Sequence, residues 1–333
     1  MEWIMRWMLW GLLGVAFIGA LYWTFEPLIR DTGSETTLTP SPAQTPAGTP
    51  GPNDPVLVGA GDIASCDSDG DEKTALLLDQ VVATGIETVV FTAGDNAYQS
   101  GTIQEFEQCY GPTWGRHKDR TRPALGNHEY ETGNANGHFQ YFGASAGDPS
   151  KGYYSFDLGG WHIVVLNTND HCIALSCDAG SDQEQWLRSD LAASSAYCTI
   201  AIWQDPRFSS SARAGGSRKV KPFWDALYDY GAELVVNGDE HNYERFAPQT
   251  PLGTTDAEYG IRQFVVGTGG RSLDIIEGGR QPNSEISNDD TFGVIKLTLH
   301  PAGYDWEFIP EAGFKFQDAG SGACHAPPPP LNE

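Results

Sequence analysis

The sequence predicts an α/β fold in which helices lie outside a mixed sheet system. Six short, mostly apolar runs look like buried strands, and each meets Gly, Asn or Asp within two residues of its end. These runs are Val56–Ala60, Thr88–Thr92, Trp161–Leu166, Thr199–Trp203, Glu233–Val236 and Gln263–Val266. Near the C-terminus, Gly293–Leu299 and Tyr304–Ile309 alternate like an antiparallel hairpin. Helical patterns between several of the strands complete an order typical of a sheet covered by helices.

Three segments between these runs have helical periodicity. Glu72–Thr84 places its apolar residues on one face, and a glycine follows it. Ser181–Ser194 begins with the pattern of a capping box, because Glu184 comes three residues after the serine. Lys219–Tyr230 is apolar along one face and also stops before a glycine. We therefore expect three helices that pack on the sheet system.

The first 55 residues differ in composition from the rest. Trp7–Phe25 is a run of 19 residues without charge; as a helix it would extend roughly 28 Å, enough to cross a bilayer core. Residues 1–30 are predicted to be a signal anchor, with a cleaved signal peptide as the alternative. A Thr/Pro-rich linker at 31–55, one domain at 56–325 and a Pro-rich tail at 326–333 follow. Both alternatives export the domain, secreted or anchored, and only the N-terminal segment would contact a membrane.

The six cysteines favour disulfides over chemistry. They are scattered without a CxxC pair, which argues against a zinc knuckle or a redox site. An even number in an exported chain predicts up to three disulfides. Cys172 and Cys177 could close a small loop, and Cys198 could bind the tail at Cys324, although six cysteines allow 15 connectivities.

The charge of the chain restricts what it can bind. The formal net charge is −24, and a protein that holds a nucleic-acid backbone needs a basic face. A nucleic-acid scaffold role is therefore excluded. A small anionic substrate requires local positive charge, most simply from metal ions.

Polar motifs follow the predicted strands at the end of a sheet where α/β proteins place their ligands. One Gly-Asp pair is usually a turn or a helix cap, but five such turns occur in order. They are Gly61-Asp62, Gly94-Asp95-Asn96-Ala97-Tyr98, Gly126-Asn127-His128-Glu129, Trp203-Gln204-Asp205-Pro206-Arg207 and Gly238-Asp239-Glu240-His241.

With these motifs the chain resembles the calcineurin-like metallophosphoesterases, and more closely their purple-acid-phosphatase-like branch. The resemblance runs from about Val56 to near Cys324. It implies two packed mixed β-sheets flanked by helices, an αββα sandwich, with a dinuclear metal centre at the strand ends.

The resemblance also implies a role for each motif residue. The first metal ion would be held by Asp62, Asp95, Tyr98 and His241. Asp95 would bridge to a second ion, which Asn127 also binds, and His128 would donate a hydrogen bond or a proton to the leaving oxygen. A phenolate ligand would favour a hard trivalent ion at the first site. The implied cofactor is a pair of divalent or mixed-valence ions of the Fe, Mn, Zn or Mg class.

The implied reaction is hydrolysis of phosphate mono- or diesters by a hydroxide that bridges the two ions. Attack is direct, with no phosphorylated enzyme. Arg207 is a candidate for binding a substrate phosphate oxygen in bidentate fashion, with a surface salt bridge as the alternative. Asn127 would contact the substrate as well as the metal. The expected partner is a small phosphate ester.

Two positions depart from the family pattern, and both belong to the second ion. Gln204 stands where the family has His before x-Pro, and Asp239 stands at the first His of Gly-His-x-His. Oxygen thus replaces nitrogen, which shifts preference from zinc toward manganese, magnesium or calcium. His138 and His171 are the candidates to replace the missing imidazole.

Three interpretations remain open at this point. The second site persists around a hard cation, with Asn127, Asp95, Asp239 and Gln204 or Asp205 as ligands, and the protein is a phosphoesterase. Alternatively, the second site is degenerate, and the protein is an exported metal- or phosphate-ligand-binding protein of weak or no activity. The third interpretation, a structural module, leaves converging buried carboxylates and imidazoles without a purpose.

Overall fold

The computed structural model describes residues 51–169, 171–173, 175–211, 216–276 and 279–329. The predicted anchor at 1–30 and the linker as far as residue 50 lie outside this part of the chain. Within the described ranges, no helix combines the length and the apolar composition that crossing a bilayer requires. The bounds proposed for the domain and its tail stay predictions.

The chain forms fifteen strands and six α-helices in the described ranges. The strands are β1 Val56–Ala60, β2 Ala64–Ser65, β3 Thr88–Ala93, β4 Ala97–Tyr98, β5 Thr121–Ala124, β6 Tyr154–Leu158, β7 Trp161–Val165, β8 Cys198–Ile202, β9 Leu234–Asn237, β10 Tyr243–Phe246, β11 Arg262–Val266, β12 Ser284–Asn288, β13 Gly293–His300, β14 Gly303–Pro310 and β15 Asp318–Ala323. The helices are α1 Gly70–Val82, α2 Ile103–Glu105, α3 Asn127–Tyr130, α4 Asn136–Phe142, α5 Asp182–Ala193 and α6 Lys221–Asp229. Single π and 3₁₀ turns lie at Phe106–Tyr110, Trp114–Arg120 and Gly143–Ala146.

The strands build two mixed sheets. The first has the order β15-β14-β13-β1-β3-β5, in which β1, β3 and β5 are parallel and the other three are antiparallel. The second has the order β12-β10-β11-β9-β8-β7-β6, with a parallel centre from β7 to β11. A short ribbon pairs β2 with β4. Because β1 and β3 are parallel neighbours, the turns that follow them meet at one sheet edge.

The main core lies between the two sheets, where aromatic rings from each meet. Phe264 of the second sheet lies 5.8 Å from Trp306 of the first, measured between ring centroids. Tyr243 and Phe308 approach to 4.4 Å. All four side chains are buried, so this contact removes a large apolar area from water and fixes the sheets face to face.

Helices cover the outer faces of both sheets. Helix α1 lies against β1, β3 and β13 of the first sheet. A second cluster of buried residues joins α5, α6 and the outer face of the second sheet, with Leu187, Trp224 and Val235 among its members. The layers are therefore helix, sheet, sheet, helix, which confirms the predicted αββα sandwich.

The three predicted helices form, with small differences at their ends. Ser181 caps α5 by accepting a hydrogen bond from the Glu184 backbone N–H at 3.3 Å. The reciprocal bond of the expected capping box is displaced, because the Glu184 carboxylate accepts from the Gly180 N–H at 2.9 Å. That carboxylate also pairs with Arg188, one turn further along the helix.

All six cysteines are paired. Cys172–Cys177 and Cys198–Cys324 form as the sequence suggests, and Cys66–Cys109 completes the set. The Cys198–Cys324 bond joins the start of β8 in the second sheet to the residue after β15 in the first. The two layers of the sandwich are thus linked covalently as well as by packing.

Candidate metal centre

The carboxylates of the cluster are presented by turns in a left-handed backbone conformation. Asp62 follows β1, Asp95 follows β3 and Asp239 follows β9, with φ of 60°, 46° and 68°. Asp and Asn tolerate this region better than other residues with a Cβ atom. Each of these carboxylates comes two residues after its strand ends, so the side chains stay at the sheet edge.

The four residues predicted to hold the first ion converge on one point. Tyr98 Oη lies 2.8 Å from Asp62 Oδ1, 3.0 Å from Asp95 Oδ2 and 3.3 Å from His241 Nε2. His241 Nε2 is also 3.2 Å from Asp62 Oδ1. All four side chains are buried. Residues separated by up to 179 positions in the chain therefore direct two carboxylates, a phenol and an imidazole to one place.

The loop after β11 contacts three of these residues, a role that sequence analysis missed. Ser272 Oγ lies 2.8 Å from His241 Nδ1 and fixes the ring with Nε2 toward the carboxylates. The Arg271 guanidinium lies over the Tyr98 ring, 5.1 Å from its centroid, and the Arg271 N–H donates to the Asp62 carbonyl at 3.0 Å. The glycines before Arg271 are typical of a turn.

Glu129 is a second residue whose role was missed. Its carboxylate accepts hydrogen bonds from the backbone N–H groups of Asn96 at 2.8 Å and Gly126 at 2.8 Å. Burial, and then the nearby Asp95 charge, raise the pKa of Glu129 to about 8. The side chain thus joins the turn after β3 to the turn after β5. Its place within Gly-Asn-His-Glu was the available signal.

His128 lies at the rim of the cluster and is fixed on both sides. Its backbone N–H donates to Asp95 Oδ1 at 3.0 Å, and its Nδ1 lies 2.6 Å from the Gln99 carbonyl. A carbonyl only accepts, so Nδ1 carries a proton. Nε2 then faces Asp95 Oδ2 at 3.8 Å.

Several further polar atoms beside the cluster are buried without a hydrogen-bond partner among the described residues. They are Asn127 Oδ1, both amide atoms of Gln204 and Asp205 Oδ2. Gly126 makes room here, since a Cβ on it would come within 2.1 Å of Asp95 Oδ1. Buried polar atoms are normally satisfied, so these orphaned oxygens point to a missing positive partner.

The electrostatics of the cluster lead to the same conclusion. Burial, and then the Asp62 charge, raise the pKa of Asp95 to about 6. Burial, followed by the charges of Asp205, Asp62 and Asp95, raises the pKa of Asp239 well above its usual value. Several buried carboxylates crowd together, and cations would offset their repulsion. The donor set of carboxylate, amide and phenol oxygens with imidazole nitrogen fits a pair of divalent or trivalent metal ions.

The two candidate replacement histidines lie in different places. His171 Nδ1 is 2.5 Å from Asp205 Oδ1, beside the cluster. His138 is packed among Phe106, Phe139 and Phe142. Burial lowers the pKa of His138 to about 3. Of these two histidines, His171 is the one that reaches the acidic residues.

Arg207 makes contacts away from these carboxylates. Its Nη2 donates to the Pro251 carbonyl at 3.3 Å, and its guanidinium lies over the Phe208 ring, 4.8 Å from the centroid. Its contact with substrate stays a prediction.

Comparison with known proteins agrees with this geometry. A model of the Calcineurin-like phosphoesterase family matches residues 56–243. Purple acid phosphatase 15 of Arabidopsis thaliana is 31% identical over 161 residues, which cover 43% of this chain and 29% of that protein. Purple acid phosphatase 21 of the same plant is 28% identical over 199 residues, covering 54% and 44%. The chain therefore spans less than half the length of these curated relatives.

Solved structures share the fold. Purple acid phosphatase PPD1 from yellow lupin (Lupinus luteus) seeds superposes with a TM-score of 0.69 at 20% identity, over 81% of this chain and 54% of that one. GAP50, the anchor in the inner membrane complex of Plasmodium, gives a TM-score of 0.57 at 16% identity, over 81% and 88%. The family match covers more than half of the chain and includes every strand-end turn of the cluster: the chain belongs to the calcineurin-like phosphoesterase family.

Proposed function

We propose that the protein is a metal-dependent phosphoesterase that hydrolyses phosphate mono- or diesters. The observation that carries the proposal is the approach of Tyr98 Oη to within 3.3 Å of Asp62, Asp95 and His241. These four residues would hold the first ion, and Asp95, Asn127 and Asp239 would contact a second. The purple acid phosphatases that match the chain support this activity.

In this proposal the bound ions supply the Lewis acidity that acidifies water and neutralises the phosphate. The residues of the chain position the ligand carboxylates and supply a proton to the leaving oxygen. Asp95 Oδ2 and Asp62 Oδ1 are held by Tyr98 Oη, and the Asp95 side chain is fixed further by the His128 N–H. His128 Nε2, at the rim and 3.8 Å from Asp95 Oδ2, would donate a hydrogen bond or a proton to the leaving oxygen.

The acidity of the whole chain makes the ions essential for substrate binding. With a net charge of −24 the protein repels a phosphate ester at long range. A dianionic substrate would therefore bind only where bound cations reverse the local potential. Activity without metal is not expected.

The three disulfides support a site of action outside the cytoplasm. Disulfides persist in oxidising compartments and are rare in the cytosol. We propose export of the domain on this ground. Anchoring through Trp7–Phe25 stays a prediction, since that segment lies outside the described residues.

The second candidate function is a binding protein with a degenerate second ion site. It is favoured by Gln204 and Asp239, which replace two imidazoles of the family pattern.

The test is metal removal and replacement on the purified protein. After treatment with a chelator, turnover of an aryl phosphomonoester and an aryl phosphodiester should vanish, and manganese, magnesium, zinc or iron should restore it. Asp62→Asn should remove turnover in every metal. Asp79→Asn, on α1, changes a half-buried carboxylate that pairs with Arg116 and His117 rather than with the cluster, and should leave turnover intact. Metal retention without turnover in any cation would instead identify a binding protein.

A further inference from the structure

A second group of ligand atoms lies beside the first-ion residues. One ligand atom from each of His171, Asp205 and Asp239 lies within 4.8 Å of the other two. Bonds of roughly 2.0–2.6 Å to a common ion place two ligand atoms at most about 4–5 Å apart, which is comparable with this upper bound. The three residues line one pocket of about 270 Å³. The spacing therefore suits one cation that is reachable from solvent.

Asp205 has an unused acceptor in this pocket. The residue is 3% exposed, and its Oδ1 lies 2.5 Å from His171 Nδ1. Its Oδ2 is buried and has no hydrogen-bond partner in the described part of the chain. A buried carboxylate oxygen without a donor is costly, and a cation would satisfy it. This orphaned oxygen is a second indication of a ligand, independent of the clustering.

Asp239 connects this group to the first-ion residues. Its backbone N–H donates to Asp62 Oδ2 at 2.8 Å, so its side chain starts from a fixed point. A carboxylate oxygen of Asp239 lies within 4.8 Å of a ligand atom of Asp205 and of one of His171. The two ion sites are thus neighbours that share one wall.

The backbone around His171 is held in place by a disulfide and by hydrogen bonds. The Cys172–Cys177 disulfide closes the chain directly after it. Lys219 Nζ donates to the His171 carbonyl at 2.8 Å, and Asn169 Nδ2 donates to the Leu175 carbonyl at 2.9 Å. A ligand fixed in this way loses little conformational freedom when it binds an ion.

Of Gln204 and His171, Gln204 is the weaker ligand for this ion. It stands at a family histidine position, but a neutral amide oxygen binds divalent ions less well than imidazole or carboxylate. Its Oε1 also lies close against the backbone of Gly94, because a Cβ added to Gly94 would be 1.9 Å from this oxygen. His171 therefore offers what position 204 lacks.

We propose that His171, together with Asp205 and Asp239, holds the second cation and replaces the imidazole lost at position 204. The proposal rests on the metal-dependent function above. One imidazole and two carboxylates suit a first-row divalent ion such as Mn²⁺ or Fe²⁺. The second ion would then lie toward the pocket that Arg218 and Lys219 also line.

The test counts Mn²⁺ on the chelator-treated full chain by elemental analysis, with free Mn²⁺ followed by electron paramagnetic resonance. Wild type should bind two ions. His171→Ala and Asp205→Asn should each keep one tight ion and weaken the second by at least about tenfold. The His171 side chain is 47% exposed, so its truncation should not unfold the chain. Circular dichroism checks that both variants are folded.

Two further variants make the result decisive. His300→Ala removes another His–Asp pair, 2.6 Å from Asp54, and should leave both ions bound. Gln204→Ala should also keep two. The proposal is overturned if wild type binds a single ion, if His171→Ala keeps both, or if Gln204→Ala loses the second. Two bound ions without ester turnover would instead overturn the proposed activity alone.

Discussion

His128 uses its backbone and its ring for different tasks. The backbone N–H fixes the Asp95 carboxylate, while the ring is fixed by the Gln99 carbonyl and directs Nε2 toward the same residue. Removing the ring leaves the backbone contact in place. The side chain can therefore be tested for proton transfer without disturbing the ion ligands.

We expect His128→Ala to lower kcat by about 10²–10⁴-fold, the usual contribution of a general acid. Metal content should change little, because Asp95 keeps its hydrogen bond from the backbone. Turnover of an aryl ester and metal content measured on one preparation check this. Equal loss of rate and metal would make His128 a ligand. His300→Ala, outside the cluster, is the control.

His138 makes stability depend on pH in a defined direction. Among the described residues neither ring nitrogen has a hydrogen-bond partner, and burial lowers the pKa to about 3. In the unfolded chain the His138 ring binds a proton near pH 6.5, whereas in the folded chain the ring stays neutral until about pH 3. The free energy of unfolding therefore loses nothing to His138 above pH 6.5, and it falls as the pH drops from 6.5 toward 3.

We expect His138→Phe to remove this loss. Between pH 6.5 and 3, the free energy of unfolding of the variant relative to wild type should rise by about 1.4 kcal/mol for each unit by which the pH is lowered. Urea unfolding at pH 7, 6, 5 and 4 measures the slope, which does not depend on any packing cost of the larger ring. Phe142→Leu, in the same aromatic cluster, should keep the wild-type slope. Parallel slopes for His138→Phe and wild type would contradict a neutral buried His138.

At the scale of elements, hydrophobic runs identified most of the central strands, but not β10 or the edge strands. β5 (Thr121–Ala124) was missed because it is short, half polar and contains a proline. β12 (Ser284–Asn288) and β15 (Asp318–Ala323) lack apolar alternation. In β15, Gly320 makes room for the Trp306 ring, since a Cβ there would lie 2.3 Å from it. Such strands are determined by their neighbours rather than by their own sequence.

The same limit applies to the metal centre. The residues proposed for the first ion follow strands in short motifs, so their convergence could be predicted from strand order. Ser272 and Glu129 support ligands through contacts that only the folded chain creates. His138 and His171 lie in similar polar stretches of sequence, and only the packing of α4 and the loop after β7 separates them.

At the scale of the whole molecule, the disulfides differ in the length of chain that they close. The separations are 126 residues for Cys198–Cys324, 43 for Cys66–Cys109 and 5 for Cys172–Cys177. In the chain-entropy description, longer loops give more stabilisation. The longest of the three also crosses from one sheet to the other.

We expect Cys198→Ala with Cys324→Ala to lower the free energy of unfolding by about 5 kcal/mol, because the unfolded chain regains the freedom of its longest loop. The matched double variant of Cys66 and Cys109 should cost about 4 kcal/mol, and that of Cys172 and Cys177 about 2 kcal/mol. Guanidinium unfolding measures the order. The reverse order would show that folded-state effects outweigh loop entropy.

The order of strands in the first sheet ties the ligand-bearing half of the chain to the half that follows it. β1, which precedes Asp62, pairs on one side with β13, and the loop that fixes Asp62 and His241 comes after β11. A fragment ending at residue 243 would keep Asp62, Asp95, Tyr98 and His241 yet expose a bare edge along β1 and lose Ser272. We therefore do not expect the segment that carries the proposed ligands to fold on its own. Insertions during the evolution of this domain would be tolerated in its loops, but transplanting that segment alone to another scaffold would not.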